Sequence, residues 1–173
     1  MVYAGQGMGG PGMEAEGFSG SDGRTTLFDY WSVASLRKLT ASQPEKAFNE
    51  SESYLYNYYK KVITLCKNEE ALNNGVFYDL QYANYQHDCG YNCDKQYAFI
   101  RKAKNGQTLL IVANFDSNNV HAGIRIPTHA FDFLQLRTGL FSSIDLLSGN
   151  LQTIELKVDN PTFIDVPGYS SVV

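Results

Sequence analysis

The side chains best suited to chemistry lie close together in one short segment, His87-Asp88-Cys89-Gly90-Tyr91-Asn92-Cys93-Asp94. Histidine, cysteine and aspartate can all bind zinc. A structural zinc site normally has four ligands, however, and the sequence contains no second pair of cysteines or histidines at ligand spacing. We therefore predict that the chain binds no metal and no cofactor. The segment is interpreted as a polar hairpin loop with two free thiols, or with a local disulfide if the compartment is oxidising.

Other motifs with a possible catalytic meaning lack the structural context that they need. Gly5-Gln6-Gly7-Met8-Gly9-Gly10 fits the dinucleotide-binding pattern, but Pro11-Gly12 follows where a helix should open. Gly17-Phe18-Ser19-Gly20-Ser21 misses the nucleophile-elbow pattern by one position. All three histidines, His87, His121 and His129, are expected to face solvent. We predict no catalytic residue in this chain.

Charge and hydropathy exclude two classes of partner. The chain has 173 residues and a net charge of −4, and its basic residues form only small groups, such as Lys60-Lys61 and Arg101-Lys102 with Lys104. Binding to a phosphate backbone needs a concentrated positive field, so we expect no nucleic-acid partner. Apolar stretches such as Leu109 to Ala113 are far shorter than the roughly 20 residues of a membrane helix. We expect no membrane partner either, and the sequence leaves the localisation unknown.

The elements before residue 75 are predicted to be a loop and one long helix. Eight glycines between positions 1 and 23 favour irregular backbone. Ser42-Gln43-Pro44-Glu45 has the capping-box order of a short helix. An amphipathic helix then runs from about Glu52 to Asn68, with Cys66 as a small core residue on a broad apolar face that we expect to be covered on most sides. Asn49 begins a formal glycosylation sequon but suits a helix cap equally well.

From Gly75 onward the hydrophobic period changes to two, which predicts strands. Asn105-Gly106 lies between two apolar runs and is the strongest hairpin signal in the chain. Further alternating segments lie near residues 120–126, 144–147, 154–158, 162–166 and 170–173. The predicted fold class is mainly β, an antiparallel sandwich of about seven or eight strands preceded by the glycine-rich loop and the long helix.

In this order, the segments resemble the C-terminal part of alpha-amylase-family glycoside hydrolases. The resemblance starts with Val2-Tyr3-Ala4-Gly5-Gln6, which is similar to the end of the eighth strand of the (β/α)8 barrel, although Gly7 stands where the family usually has Glu. Asp22-Gly23-Arg24 with Phe28-Asp29-Tyr30-Trp31 resembles the rim segment after that strand. The other similar segments are Tyr59 to Leu72, the last barrel helix, and Asp145 to Gly149 with Val166 to Val173, the closing strands.

The resemblance implies three parts: a loop segment 1–48 from the end of the barrel, a last barrel helix 49–74, and a C-terminal β-sandwich domain 75–173. It also implies a retaining glucan hydrolase, in which one carboxylate is the nucleophile and a second is the acid/base. Those carboxylates would lie on barrel strands that precede Val2, so this chain would be catalytically incomplete. Four residues are predicted at the substrate-binding barrel rim: Gln6, Asp22, Arg24 and Trp31.

The predicted partners are the catalytic barrel of the parent chain, an alpha-glucan, and a second copy of the chain bound through an exposed face of the helix. The alternative is a non-enzymatic carbohydrate-binding or assembly module, since the rings of Trp31, Tyr78, Tyr82 and Tyr85 could stack on sugars. The strand parity of Tyr78 and Tyr82, in phase with Val76 and Leu80, instead predicts that these two tyrosines are core residues.

Overall fold

The computed structural model of the chain describes residues 6–9 and 34–173. The chain divides into two compact units, the first ending at Ile63 and the second running from Thr64 to Val173. The helices are α1 (Ala34–Leu39), α2 (Pro44–Ala47), α3 (Glu50–Asn68), α4 (Glu70–Asn73) and α5 (Thr128–Leu134). The strands are β1 (Val76–Asp79), β2 (Gln96–Lys102), β3 (Thr108–Asn114), β4 (Val120–Arg125), β5 (Gly139–Ile144), β6 (Leu151–Leu156), β7 (Pro161–Val166) and β8 (Ser170–Val172).

In the first unit, a capping box stabilises the N-terminal end of α3. The Asn49 side chain accepts a hydrogen bond from the Glu52 backbone N–H at 2.9 Å, and the Glu52 carboxylate accepts one from the Asn49 N–H at 2.7 Å. Glu52 also pairs with the ammonium of Lys38 at 2.6 Å. The hydrogen bond from Lys38, followed by that from Asn49, lowers the pKa of Glu52. The cap role of Asn49 is thus confirmed, whereas the helix at Pro44 has no side-chain cap.

The expectation that α3 is covered on most sides is wrong for the described part of the chain. None of its residues is buried, and the side chains of Tyr54 and Ile63 are 73% and 54% exposed. Cys66 is also exposed, not in a core. The physical reason is that the first unit offers few apolar partners: among its described residues only Met8 and Leu36 are buried, against Phe48 and Tyr56.

The second unit is built on a four-stranded antiparallel sheet in the order β1-β2-β3-β8. Strands β2 and β3 form the hairpin predicted at Asn105-Gly106, with Ile100 opposite Leu110. Gly106 has a φ of 95°, which only glycine adopts without strain. Two further antiparallel pairs, β4 with β7 and β5 with β6, complete the eight strands. The mainly β, antiparallel fold with one long helix is therefore confirmed.

The main core of this unit lies between the four-stranded sheet, the β4–β7 pair and α5. It contains Leu80, Ile100, Val112, Ile124 and Ile126, each at most 1% exposed. Along β7 the residues alternate between this core and solvent, as the period of two requires. In β4 the alternation is interrupted, because Ala122, Gly123 and Ile124 are all buried. Helix α5 was not predicted; Pro127 precedes it, and Ala130, Phe131 and Leu134 turn one face into the core. None of the helices in residues 6–9 and 34–173 is long and apolar enough to cross a membrane.

Candidate functional site

Of the four predicted rim residues, the structure describes only Gln6. It is exposed at the start of the 3-10 turn Gln6–Met8, and its side-chain amide donates a hydrogen bond to the Tyr59 hydroxyl at 2.9 Å. Asp22, Arg24 and Trp31 lie outside the described residues. Gln6 thus has a role in holding the turn against α3, and the sugar-contacting role of all four residues stays a prediction.

The second unit contains a cluster of four aromatic side chains, which we call the aromatic cluster: Tyr78, Tyr82, His129 and Phe133. The Tyr78 hydroxyl lies 2.6 Å from the Tyr82 hydroxyl and 2.7 Å from Nδ1 of His129. The rings of His129 and Phe133 are stacked, with an angle of 10° between their planes. The Tyr78 ring also contacts the rings of Tyr82 and Phe133, with centroids 6.3 and 5.9 Å apart.

Three elements position these side chains. Strand β1 carries Tyr78 and ends at Asp79, whose carboxylate accepts a hydrogen bond from the Gln81 N–H at 2.9 Å. This bond starts the 3-10 turn Gln81–Ala83, which carries Tyr82. Helix α5 presents His129 and Phe133 four residues apart, on one face of the helix.

The prediction that both tyrosines are core residues is right for Tyr78 and wrong for Tyr82. Tyr78 is 7% exposed, whereas Tyr82 is 54% exposed. The period of two ends with β1 at Asp79, and the 3-10 turn then rotates Tyr82 out of strand phase. His87, His121 and His129 are all exposed, as predicted.

The aromatic cluster is suited to contact and not to proton transfer. Burial first, and then the hydrogen bond with Tyr82, raises the pKa of Tyr78, so its phenol stays protonated at neutral pH. Tyr82 and Phe133 are 54% and 56% exposed, so flat ring surface faces solvent beside hydroxyl and imidazole groups. Such a surface can stack on the apolar face of a sugar ring while its polar groups bond the sugar hydroxyls.

Phe133 also borders a groove of about 890 Å³ in the second unit. The groove lies between the four-stranded sheet, the segment after α5 and the β5–β6 hairpin. Its lining is mostly apolar, with Lys102, Lys104 and Arg137 as its charged residues. The described residues that line it include no Asp or Glu, so the groove cannot supply the paired carboxylates of a glycosidase.

Comparison with known proteins finds a family that is similar to part of this unit. Residues 87–133 match the model of the family described as the alpha amylase, C-terminal all-beta domain. The matched segment contains β2, β3 and β4 and ends within α5 at Phe133 of the aromatic cluster. This match confirms, for residues 87–133, the resemblance to the alpha-amylase family found in the sequence.

Among solved structures, the chain is similar to a noncanonic maltogenic alpha-amylase from Thermotoga neapolitana. The identity is 12% and the TM-score 0.49, over 72% of this chain and 25% of that enzyme. The match thus spans a quarter of the enzyme's length. A search of curated protein sequences found no similar protein.

Proposed function

We propose that this chain is the C-terminal part of an alpha-amylase-type glycoside hydrolase that acts on alpha-glucans such as starch and maltodextrin. The observation that carries the proposal is the family match of residues 87–133, which falls on antiparallel strands of the second unit. The chain would be catalytically incomplete by itself, because the resemblance puts the nucleophile and the acid/base on barrel strands that would precede Val2.

In this proposal the β-sandwich packs on the catalytic barrel and stabilises it. Support comes from the β5–β6 hairpin, where Leu140 and Leu151 are 71% and 82% exposed and Ile144, opposite Leu151, is 49% exposed. Large exposed apolar side chains that lie together usually mark a contact with another domain.

A two-fold dimer through Tyr54 and Ile63 of α3 is a further proposed contact. Light scattering at increasing protein concentration would detect this dimer.

Removing residues 75–173 from the longer protein is expected to lower the midpoint of its thermal unfolding by several degrees, because the barrel loses its covering domain. The measurement is a thermal melt of the protein with and without these residues. Substitution of Leu140 and Leu151 by serine should reproduce part of the loss, while serine at the exposed Phe115, which follows β3, should not. An unchanged midpoint after the deletion would contradict the packing role.

A second candidate function, carbohydrate binding by the β domain itself, is favoured by the exposed aromatic cluster. We expect linear maltodextrins to bind only in the weak millimolar range, worth about 4 kcal/mol. Calorimetry or NMR titration should show this binding lost in Tyr82→Ala and in Phe133→Ala. Tyr169→Ala is the matched control, since Tyr169 is 76% exposed in the connection between β7 and β8 and is not a member of the cluster. Binding that survives both cluster substitutions would exclude this site.

A further inference from the structure

Three side chains of different chemistry converge on one point in the loop of residues 87–94. Nε2 of His87 lies 3.0 Å from Sγ of Cys93 and 3.4 Å from Oδ2 of Asp94. The donor atoms of these three residues all lie within 4.8 Å of one another. Each offers a lone pair that can bind a metal ion once Cys93 has lost its proton.

Small movements of these side chains would bring the three atoms to the spacing that a tetrahedral ion requires. Two ligands bound to zinc at about 2.0 and 2.3 Å in tetrahedral geometry are about 3.3–3.5 Å apart. The 3.4 Å separation between Nε2 of His87 and Oδ2 of Asp94 lies in this range. The 3.0 Å separation between Nε2 and Sγ of Cys93 would lengthen by about 0.3–0.5 Å on binding. A neutral imidazole has one N–H, which cannot donate fully to Cys93 and Asp94 at once. A cation at the centre would instead be bound by all three at the same time.

The loop that carries these residues is held firmly on both sides. Cys93 packs its half-buried side chain against the main core. The Asn92 N–H donates to the side chain of the buried Gln96 at 2.9 Å, and the Asp94 N–H donates to the Asn92 side chain at 2.9 Å. Tyr91, 2% exposed, anchors the loop beside them. A site that is fixed before the metal arrives loses little conformational entropy on binding.

We propose that His87, Cys93 and Asp94 bind one Zn²⁺ ion, with the fourth position open to water. The thiolate and imidazole select zinc over magnesium and calcium, which prefer oxygen ligands. The fourth position is open because the side chains of His87 and Asp94 are 45% and 76% exposed. Binding releases the thiol proton of Cys93 to solvent. The four ligands expected from the sequence are not required, because water supplies the last one.

Cys89 provides a matched control within the same loop. Its sulfur lies 3.7 Å from Nη2 of Arg125, and Arg125 forms an ion pair with Asp88 at 2.7 Å. Cys89 is not a member of the three-residue group. Cys66, exposed on α3, is a second control. Loss of either thiol should therefore leave the proposed site intact.

The test is titration of the purified, metal-free protein with Zn²⁺ under reducing conditions, followed by calorimetry, together with Co²⁺ as a spectroscopic probe. We expect one ion per chain and the thiolate-to-cobalt absorption of a single thiolate. Cys93→Ser should remove that absorption and weaken Zn²⁺ binding at least tenfold. His87→Gln should also weaken Zn²⁺ binding at least tenfold. Asp94→Asn should weaken Zn²⁺ binding several-fold. The controls Cys89→Ser and Cys66→Ser should change the affinity for Zn²⁺ less than twofold.

Several results would overturn the proposal. The first is that the folded protein does not bind Zn²⁺. The second is a cobalt absorption intense enough to require two thiolates, and the third is loss of the cobalt band in Cys89→Ser but not in Cys93→Ser. Circular dichroism of each variant checks that it is folded. If Cys93→Ser does not fold, the same ranking is tested with His87→Gln and Asp94→Asn, whose side chains lie on the surface. Equal binding by wild type and these two variants would also contradict the site.

Discussion

Replacing Asn114 with alanine is expected to lower the free energy of unfolding by about 3–4 kcal/mol, among the largest effects of any single substitution in this chain. Asn114 ends β3 and is 2% exposed. Its amide donates to the carbonyl oxygens of Asn118 at 2.8 Å and Pro167 at 3.1 Å. Its oxygen accepts from the Gln96 side chain at 2.8 Å and from the Asp116 N–H at 3.0 Å.

The effect is large because alanine removes the side-chain hydrogen bonds of Asn114 and leaves several partner groups without a hydrogen bond. The carbonyl of Pro167, in the connection between β7 and β8, and the buried amide of Gln96 would both lose a hydrogen bond inside the protein. A buried polar group without a partner costs about 1–3 kcal/mol. The two connecting loops are also in close contact, since a Cβ at Gly168 would lie 2.0 Å from the Ser117 carbonyl oxygen.

Urea unfolding at neutral pH measures this effect. The matched control is Asn160→Ala, an exposed asparagine whose side chain bonds only the nearby Val158 carbonyl. It should change the free energy of unfolding by less than about 1 kcal/mol. If the two variants have the same stability, Asn114 does not join the loops as described.

Replacing Asp145 with alanine is expected to lower the free energy of unfolding by about 2–3 kcal/mol at neutral pH. The carboxylate is 7% exposed and accepts three backbone hydrogen bonds, from Leu147 at 3.1 Å, Ser148 at 2.9 Å and Val173 at 3.1 Å. It thereby joins the turn between β5 and β6 to the residue that follows β8. Alanine would leave these donors without an acceptor.

The effect of Asp145 should depend on pH. Burial raises its pKa, but the hydrogen bonds from Ser148, Val173 and Leu147 outweigh burial, and the net pKa lies below the ordinary value of 3.8. A lowered folded-state pKa means that the stabilisation is present above the unfolded-state pKa and is lost as pH falls through the folded-state value. The difference between wild type and Asp145→Ala should therefore be full at pH 7 and shrink below about pH 4.

The measurement is urea unfolding of both proteins at pH 7 and at the lowest pH where they still fold. Asp132→Ala, at an exposed position on α5, is the control and should cost less than about 1 kcal/mol at either pH. A difference between wild type and Asp145→Ala that grew towards acid pH would mean that the carboxylate opposes folding.

Local signals in the sequence were sufficient to predict most of the strands. The strand expected at residues 144–147 was misplaced, because β5 spans Gly139–Ile144 and residues 145–147 lie in the connection to β6. Asn105-Gly106 predicts the β2–β3 hairpin because a tight turn needs positive φ. Alternation along residues 120–126 predicts β4, although Gly123 is buried together with its neighbours Ala122 and Ile124. The strand alternation wrongly predicted a buried Tyr82, because β1 ends before this residue and a 3-10 turn follows. Helix α5 was not predicted because it has only seven residues. This length is too short for a helical hydrophobic period to be distinguished from the period of a strand.

The residues that hold the loops together could not be predicted, because their partners are distant in sequence. Asn114 bonds Pro167, and Asp145 bonds Val173, across many residues of intervening chain. The same is true of the aromatic cluster, where Tyr78 meets His129 only because α5 packs beside β1. In contrast, the types of side chain that converge at His87, Cys93 and Asp94 were visible in the sequence, but their geometry was not.

The most direct test of the proposed function is hydrolysis of starch and maltodextrin by the purified chain alone and by the longer protein to which the proposal assigns it. The account predicts no turnover by the chain alone. It predicts turnover by the longer protein, lost when the upstream carboxylates at the ends of the barrel strands are replaced by amides. Turnover by the chain alone that disappears in Asp79→Asn, or an inactive longer protein that has no upstream β/α barrel, would contradict it.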